Sequence, residues 1–286
     1  MSGVKEIKRK IGSVQSTQKI TSAMEMVAAS KMRKARTLME NARPYAEKMR
    51  NVIRHVVEGE LEYVHPFMVE RKASRVGYII ISSDRGLCGG LNVNLFRLLS
   101  KEMQQWDEKQ VHVNYCTVGK KAEQFFSKLP GNLIASTTEL GQAPTLGELI
   151  GLVRVITGAY LSEELDKVYL AYNGFVNTMT QTPHVEQLLP IVPSEKPFNK
   201  PGWDYLYEPN APYLLDLLLT RYVESLVYQG VVENIACEQA ARMVSMKNST
   251  DNAGEIIDSL LLRYNKARQA SITQELSEIV AGAAAV

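Results

Sequence analysis

The stretch SDRGLCGGLN, residues 83–92, holds the residues of this chain best placed to do chemistry. Gly86, Gly89 and Gly90 follow an apolar, strand-like run and precede a helical one. Such a strand-to-helix turn can cradle a phosphate on backbone N–H groups. The spacing matches neither G-x-G-x-x-G nor G-x-x-x-x-G-K-[ST], so neither nucleotide fingerprint is present. Asp84 and Arg85 are polar neighbours, but the sequence identifies no His, Ser or second carboxylate to work with them. Acid–base and nucleophilic catalysis need such a constellation. The expectation is a tight βα turn that also serves as a contact surface, with no catalytic residue and no cofactor. Metal ligation has no better footing. Cys88, Cys116 and Cys237 are scattered without a C-x-x-C pair, and His55, His65, His112 and His184 stand alone. Scattered free cysteines fit a reducing compartment.

Charge is distributed unevenly. Residues 1–58 carry 13 Lys+Arg against 5 Asp+Glu, a net of +8, and residues 205–286 carry 6 against 10, a net of −4. A basic helix facing an acidic one favours their pairing. Nucleic-acid binding is the alternative for the basic stretch, and the acidic C-terminal helix weighs against it. No apolar run reaches 18 residues, and the N-terminus has no apolar core of a secretion signal, so membrane association is expected only through partners.

The turn needs a scaffold, and the middle of the chain supplies one. Residues 75–82 (RVGYIIIS) form a continuous β-branched run, the signature of a buried strand. Residues 111–118, 132–136, 167–173 and 182–192 read as further strands, the last joined by a short link and therefore antiparallel. Helices fall at 91–106, 120–128 and 145–161, with Thr145 and Glu148 spaced as a capping box. Alternating strand and helix gives a mostly parallel sheet with right-handed crossovers. The stretch from Pro193 to Pro212 is irregular, and its Trp203, Tyr205 and Tyr207 suit a contact surface.

Two long helices bracket this domain. From Ile11, alternating steps of three and four reach Val14, Gln18, Thr21, Glu25, Ala28, Met32, Ala35, Met39, Ala42, Ala46, Met49, Ile53 and Val56. This is a heptad seam of small and adaptable residues, interrupted by a polar cluster at Gln18, Thr21 and Glu25 that should set register or face something polar. Pro44 lies inside the pattern and predicts a bend, with Gly59 as the stop. A matching seam runs from Leu215 to Ala267, crossing Gly230 and Gly254 at a cost of about 1 kcal/mol each. Asn210 and Pro212 suit its start. The expected class is α/β: a long antiparallel coiled coil of the terminal helices plus a Rossmann-like, mostly parallel five-stranded sheet. The expected divisions are 1–58, 59–211 and 212–286.

At 1.5 Å per residue the two helices span ~80 and ~110 Å. Counting from their inner ends, residues at equal height have numbers summing to about 268. Everything beyond about residue 267 is then a lone helix whose Ile272, Leu276, Ile279, Val280 and Ala283 form an unpaired apolar stripe. Such a tip suits a socket in another protein.

The opening KEIKRKIGSVQSTQKITSAMEMVAASKMRKA, the turn SDRGLCGGLN, the segment VVENIACEQAARMVSMKNSTDNA and the ending NKARQASITQELSEIVAGAAA resemble the γ subunit of bacterial F-type ATP synthases, in order and across essentially the whole chain. The resemblance implies a rotary shaft without catalytic activity of its own. Its paired helices would turn inside a ring of alternating α and β subunits, driven by proton flow, while catalysis belongs to β. Its middle domain would meet the ε subunit and the c-ring, in a complex completed by δ, a and b. The location implied is peripheral, on the cytoplasmic face of the bacterial inner membrane. By matching motif, Arg268, Gln269, Thr273 and Glu275 would meet loops of the catalytic ring. Met24, with Lys31, Arg33 and Lys34, would face acidic levers on β, with Arg242 in the same collar. Trp203, Tyr205 and Tyr207 would lie near the foot. The chain lacks the cysteine-bearing insert of chloroplast relatives, so thiol regulation is not implied. The competing readings are a nucleotide-binding α/β enzyme with a coiled-coil arm and a basic scaffold for nucleic acid.

Overall fold

The computed structural model describes residues 2–58, 63–192 and 210–284. Its elements run α1 (Ser2–Glu58), a 3-10 turn (Pro66–Met68), β1 (Arg75–Ile81), α2 (Leu91–Glu108), β2 (His112–Val118), α3 (Lys120–Phe126), β3 (Asn132–Thr137), α4 (Leu146–Leu161), β4 (Lys167–Phe175), β5 (Gln181–Leu189) and α5 (Ala211–Ala284). Five strands, their order of type and the two terminal helices agree with the sequence reading. Gly59 lies outside the described residues. Asn210 caps α5 by accepting the Tyr213 N–H at 3.0 Å. Glu148 accepts both the N–H and the hydroxyl of Thr145, at 2.6 and 3.0 Å, so the capping pair read from the sequence forms. Pro44 sits inside an unbroken α1.

The chain divides into two compact units, residues 30–241 and residues 1–29 with 242–286. In the first, the sheet order is β3-β2-β1-β4-β5, with β5 antiparallel and the other pairs parallel. After the exposed Arg75, β1 is apolar because both faces are covered. Val76, Tyr78 and Ile80 point into a core built with Leu95, Phe96 and Leu99 of α2 and Phe126 of α3. Ile79 and Ile81 point the other way, into a core with Leu149, Val153 and Ile156 of α4 and with Leu219, Val223 and Val227 of α5. Ala35 and Ile53 of α1 join that second core. The two long helices are thus rooted in the sheet. They run antiparallel there, since Ala35 and Ile235 line one groove while Arg50 and Arg54 lie beside Tyr222.

In the second unit the same two helices pair again. Ile11 and Ala28 of α1 and Met246, Ala253 and Ile257 of α5 are buried. The Thr21 and Thr250 hydroxyls meet at 2.8 Å, and Gln18 Nε2 donates to the Thr250 carbonyl at 3.5 Å. These pairs sum to 271 and 268, so the antiparallel register agrees with the height count. The polar cluster in the α1 seam therefore faces a polar residue of α5.

Candidate functional site

The glycine turn is a structural junction. Asp84 accepts the Lys120 N–H at 3.0 Å and the Glu139 N–H at 3.1 Å, which ties together the loops after β1, β2 and β3. Lys120 is in turn paired with Glu139. Ser82 Oγ accepts the Ala122 N–H at 2.8 Å, and Asn92 donates to Ser83 Oγ at 2.7 Å. Gly119, at φ +95°, brings the chain so close that a Cβ there would stand 2.5 Å from the Ser82 carbonyl oxygen. An open α/β sheet binds ligands in the crevice where strand order reverses, here between β1 and β4. That crevice is filled from within by Cys88 and Leu91 of the turn and Cys237 and Ala241 of α5, with Phe175 against them. Asp84, Ser83 and Asn92 of the turn thus serve as scaffolding. Among the described residues no group of three His, Cys, Asp or Glu is arranged to hold a metal ion. Burial pushes the Cys116 thiol up to about 12 and raises that of Cys237 further, which disfavours their thiolates. Leu87 of the turn and Val93 of the first turn of α2 are exposed.

The remaining candidates are surface positions on the long helices. α1 neutralises two of its cations within one turn: Arg36 pairs with Glu40 and Arg43 with Glu47, each at 2.8 Å. One turn on from Lys31, Arg33 and Lys34 stand Ala35, Thr37 and Leu38. The helix therefore supplies no carboxylate, and among the described residues no salt bridge reaches these three cations. Arg33 and Lys34 are exposed and Lys31 is half-buried. Lys31 and Lys34 border an open groove of about 290 Å³ whose floor includes Leu38, Ala143 and Ile235. This is a concentrated, uncompensated positive charge with an apolar recess beside it, suited to an acidic partner.

In the other unit, Met24 and Arg242 are both half-buried. Every α5 seam position from Met243 to Ala267 is buried or half-buried, as is Ser271. From Ile272 to Ala281 every residue is exposed, including Ile272, Leu276, Ile279 and Val280 at 44%, 57%, 67% and 67%. Arg268, Gln269, Thr273 and Glu275 lie at this transition, all exposed. Three of them make contacts within the helix: Thr273 Oγ1 donates to the Gln269 carbonyl at 2.9 Å, and Ser271 Oγ to Glu275 at 3.3 Å. The lone helix begins about one turn later than the height count of 267. Trp203, Tyr205 and Tyr207 lie outside the described residues.

Sequence reasoning missed the polar residues of α5 that grip the sheet. Asn234 accepts from Asn173 at 2.9 Å, and Glu233 accepts the Phe175 N–H at 3.0 Å. Glu233 sits one position, and Asn234 two, past Val232 of the seam. The one signal was Gly230 one turn earlier, a small residue where a helix can approach a sheet closely.

Comparisons with known proteins agree with this arrangement. The family model for ATP synthase matches residues 3–286. The ATP synthase gamma chain of Nitrosococcus oceani is 60% identical over 289 aligned positions, covering 100% of both chains. Among solved structures, the rotor of Euglena gracilis mitochondrial ATP synthase in rotational state 1 has a TM-score of 0.64 at 19% identity, covering 95% of this chain and 99% of that one. A chain of the same organism's OSCP/F1/c-ring assembly in rotational state 3 has a TM-score of 0.68 at 20% identity, covering 99% and 94%. These two establish a shared fold. A chain of the Tetrahymena thermophila mitochondrial ATP synthase central stalk and c-ring has a TM-score of 0.58 at 25% identity, covering 80% and 98%. The chain belongs to the family of ATP synthase γ chains.

Proposed function

We propose that this chain is the central rotor shaft of a bacterial proton-transporting F-type ATP synthase. It couples proton flow through the membrane sector to ATP synthesis on the catalytic β subunits, and it regulates their ATPase activity. The end-to-end match to a γ chain carries this reading. The geometry supports it: in the unit of residues 1–29 and 242–286 the two helices pair through a seam of Ala, Met, Thr and Gln, and the residues from Ile272 to Ala281 are exposed. The three uncompensated cations at Lys31, Arg33 and Lys34 face acidic levers of β, as does Met24, and Arg242 is a further contact with the ring. Arg268, Gln269, Thr273 and Glu275 meet loops of the α/β ring. Residues 59–211, including Trp203, Tyr205 and Tyr207, form the foot that meets ε and the c-ring, between the shaft helices 1–58 and 212–286.

The chain performs no catalysis itself. Chemistry belongs to β, and the shaft acts by contacting each conformation of the catalytic sites differently, which shifts their populations. Its association with the cytoplasmic face of the inner membrane runs through its partners. Among the described residues no helix is long and apolar enough to cross a membrane. The test is affinity purification from the native host together with an assay of the chain alone. The expected result is one copy of the chain with three each of α and β, and no ATP hydrolysis by the isolated chain. Recovery of nucleic acid without α and β, or turnover by the purified single chain, overturns the reading.

A further inference from the structure

α5 lies unusually close to β4 within the unit of residues 30–241. A Cβ added at Gly230 would stand 3.1 Å from Ile81 Cδ1 and 3.4 Å from both Leu170 Cδ2 and Tyr172 Cγ. That approach lets short polar side chains on the next two turns reach the strand. Asn173 Nδ2 donates to Asn234 Oδ1 at 2.9 Å, the Phe175 N–H donates to Glu233 Oε1 at 3.0 Å, and Cys237 Sγ donates to the Asn173 carbonyl at 3.2 Å. Asn173, Asn234 and Cys237 are each 1% exposed or less. Positions 230, 233, 234 and 237 fall on one helical face, so the contacts form a row along the strand. α1 has a different attachment to the sheet. Its Arg50 reaches Glu186 of β5 at 3.4 Å through a partly exposed ion pair.

We infer that the row Glu233, Asn234 and Cys237 is a clasp that passes torque between the sheet domain and α5 and fixes the rotational register of the helix on β4. The inference rests on the shaft reading. Apolar packing resists separation of two elements, and its resistance to small sliding or rolling comes from shape alone. Buried hydrogen bonds are directional, and a helix that rolls past the strand leaves several polar groups without partners at once. A buried asparagine that fixes helix register is the same device used in coiled coils. The clasp sits where rotation entering through the sheet domain must be handed to the longer helix. Glu233 and Asn234 are positioning residues, since they touch no substrate.

The test compares variants of the full chain in the assembled enzyme on membranes. Asn234→Leu and Glu233→Leu remove clasp contacts, and Glu233→Gln keeps an acceptor for the Phe175 N–H. Val223→Ala weakens the same helix in a purely apolar position, where Val223 is fully buried. Two rates are read: ATP hydrolysis with the proton gradient dissipated, and ATP synthesis at a near-threshold gradient. In Asn234→Leu and Glu233→Leu the ratio of synthesis to hydrolysis should fall at least threefold. Glu233→Gln and Val223→Ala should keep it within 1.5-fold of wild type, even where thermal melting shows Val223→Ala to be as destabilised as Asn234→Leu. A ratio that stays within 1.5-fold in the assembled Asn234→Leu enzyme overturns the clasp, as does an equal fall in Val223→Ala. A wild-type chain that restores no synthesis to membranes lacking it overturns the shaft reading itself, a distinct result.

Discussion

Deleting residues 272–286 should separate the fold of this chain from its function. Side chains contribute about 25 cal/mol for each Å² of apolar surface removed from water. The apolar side chains of this stretch are exposed, from 44% at Ile272 to 67% at Val280, and pack little against α1. Their loss should cost less than about 1 kcal/mol. The stretch is helical because it extends a long helix already nucleated, with help from i,i+4 contacts such as Gln274 to Glu278 at 2.9 Å. A second deletion, starting at Ala253, makes the comparison. It also removes Ala253 and Ile257, 5% and 8% exposed, and the half-buried Leu260 and Tyr264. That loss should reach roughly 3–5 kcal/mol, most of it from Ile257 and its neighbours in the seam. For a chain of this size 1 kcal/mol corresponds to about 2–4 °C in the unfolding midpoint. Circular dichroism should then show the short deletion melting within about 3 °C of the full chain and the long one more than about 6 °C lower. Membranes carrying the short deletion should lose ATP synthesis or assembly despite the intact fold. A short deletion that melts as low as the long one would show the tip to be packed, against the reasoning from exposure. Unchanged synthesis would show the apolar stripe to be dispensable.

Other perturbations test single groups. Reversing Lys31, Arg33 and Lys34 together to Glu should lower proton pumping per ATP severalfold with little change in melting, because none of the three is in a salt bridge among the described residues; normal pumping removes them from the proposed contact. Met24→Lys adds a cation at a proposed β contact and should also reduce pumping efficiency, measured by the same assay. His65 accepts the Phe67 N–H on Nδ1 at 3.1 Å and faces Asp216 from Nε2 at 3.3 Å, and burial holds its pKa below the ordinary 6.5 despite that carboxylate. A lowered folded pKa means the stabilisation is complete above about pH 6.5 and is lost as pH falls toward the folded value. Between pH 7 and 5 the wild type should therefore lose more stability than His65→Asn does. Burial raises Glu102 and Glu233, which act in the opposite sense, so the difference between the two proteins is the quantity to read. A thiol-specific disulfide reagent at pH 8 should label Cys88, Cys116 and Cys237 slowly in the native chain and rapidly after denaturation, since all three are buried.

Local rules carried most of the sequence reading. The seams were legible because their period held for many turns, and each position from Ile11 to Val56 is indeed buried or half-buried. Asn210 and Thr145 announced their caps through short-range hydrogen bonding that depends on neighbours in sequence. The polar seam residues Gln18 and Thr21 were identified as odd, though Thr250 as their partner required the register. What escaped depends on contacts across long sequence separations. Asp84 reads as a polar residue without a partner until the loops after β2 and β3 are seen to supply its two N–H donors. Gly230 reads as a fault in a helix until Ile81, Leu170 and Tyr172 are found against it. Glu233 and Asn234 fall beside the seam and drew no reading from it, yet they bond to β4. Period-based reading assigns one buried face to a helix, and the root of α5 has more than one.

The small residues of the paired helices have a dimensional consequence. Ala28 is 1% exposed in the pair it forms with α5. Helix axes pack 8–10 Å apart according to the side chains between them, and alanine holds them at the near end of that range. The seam therefore sets a calibre as well as a register. Replacing Ala28 by a longer apolar residue could even add buried surface, yet it would widen the rod at that level. For a part that must rotate within an enclosure, tolerance is specified by its thinnest side chains, and the strongest possible core is not the one that fits.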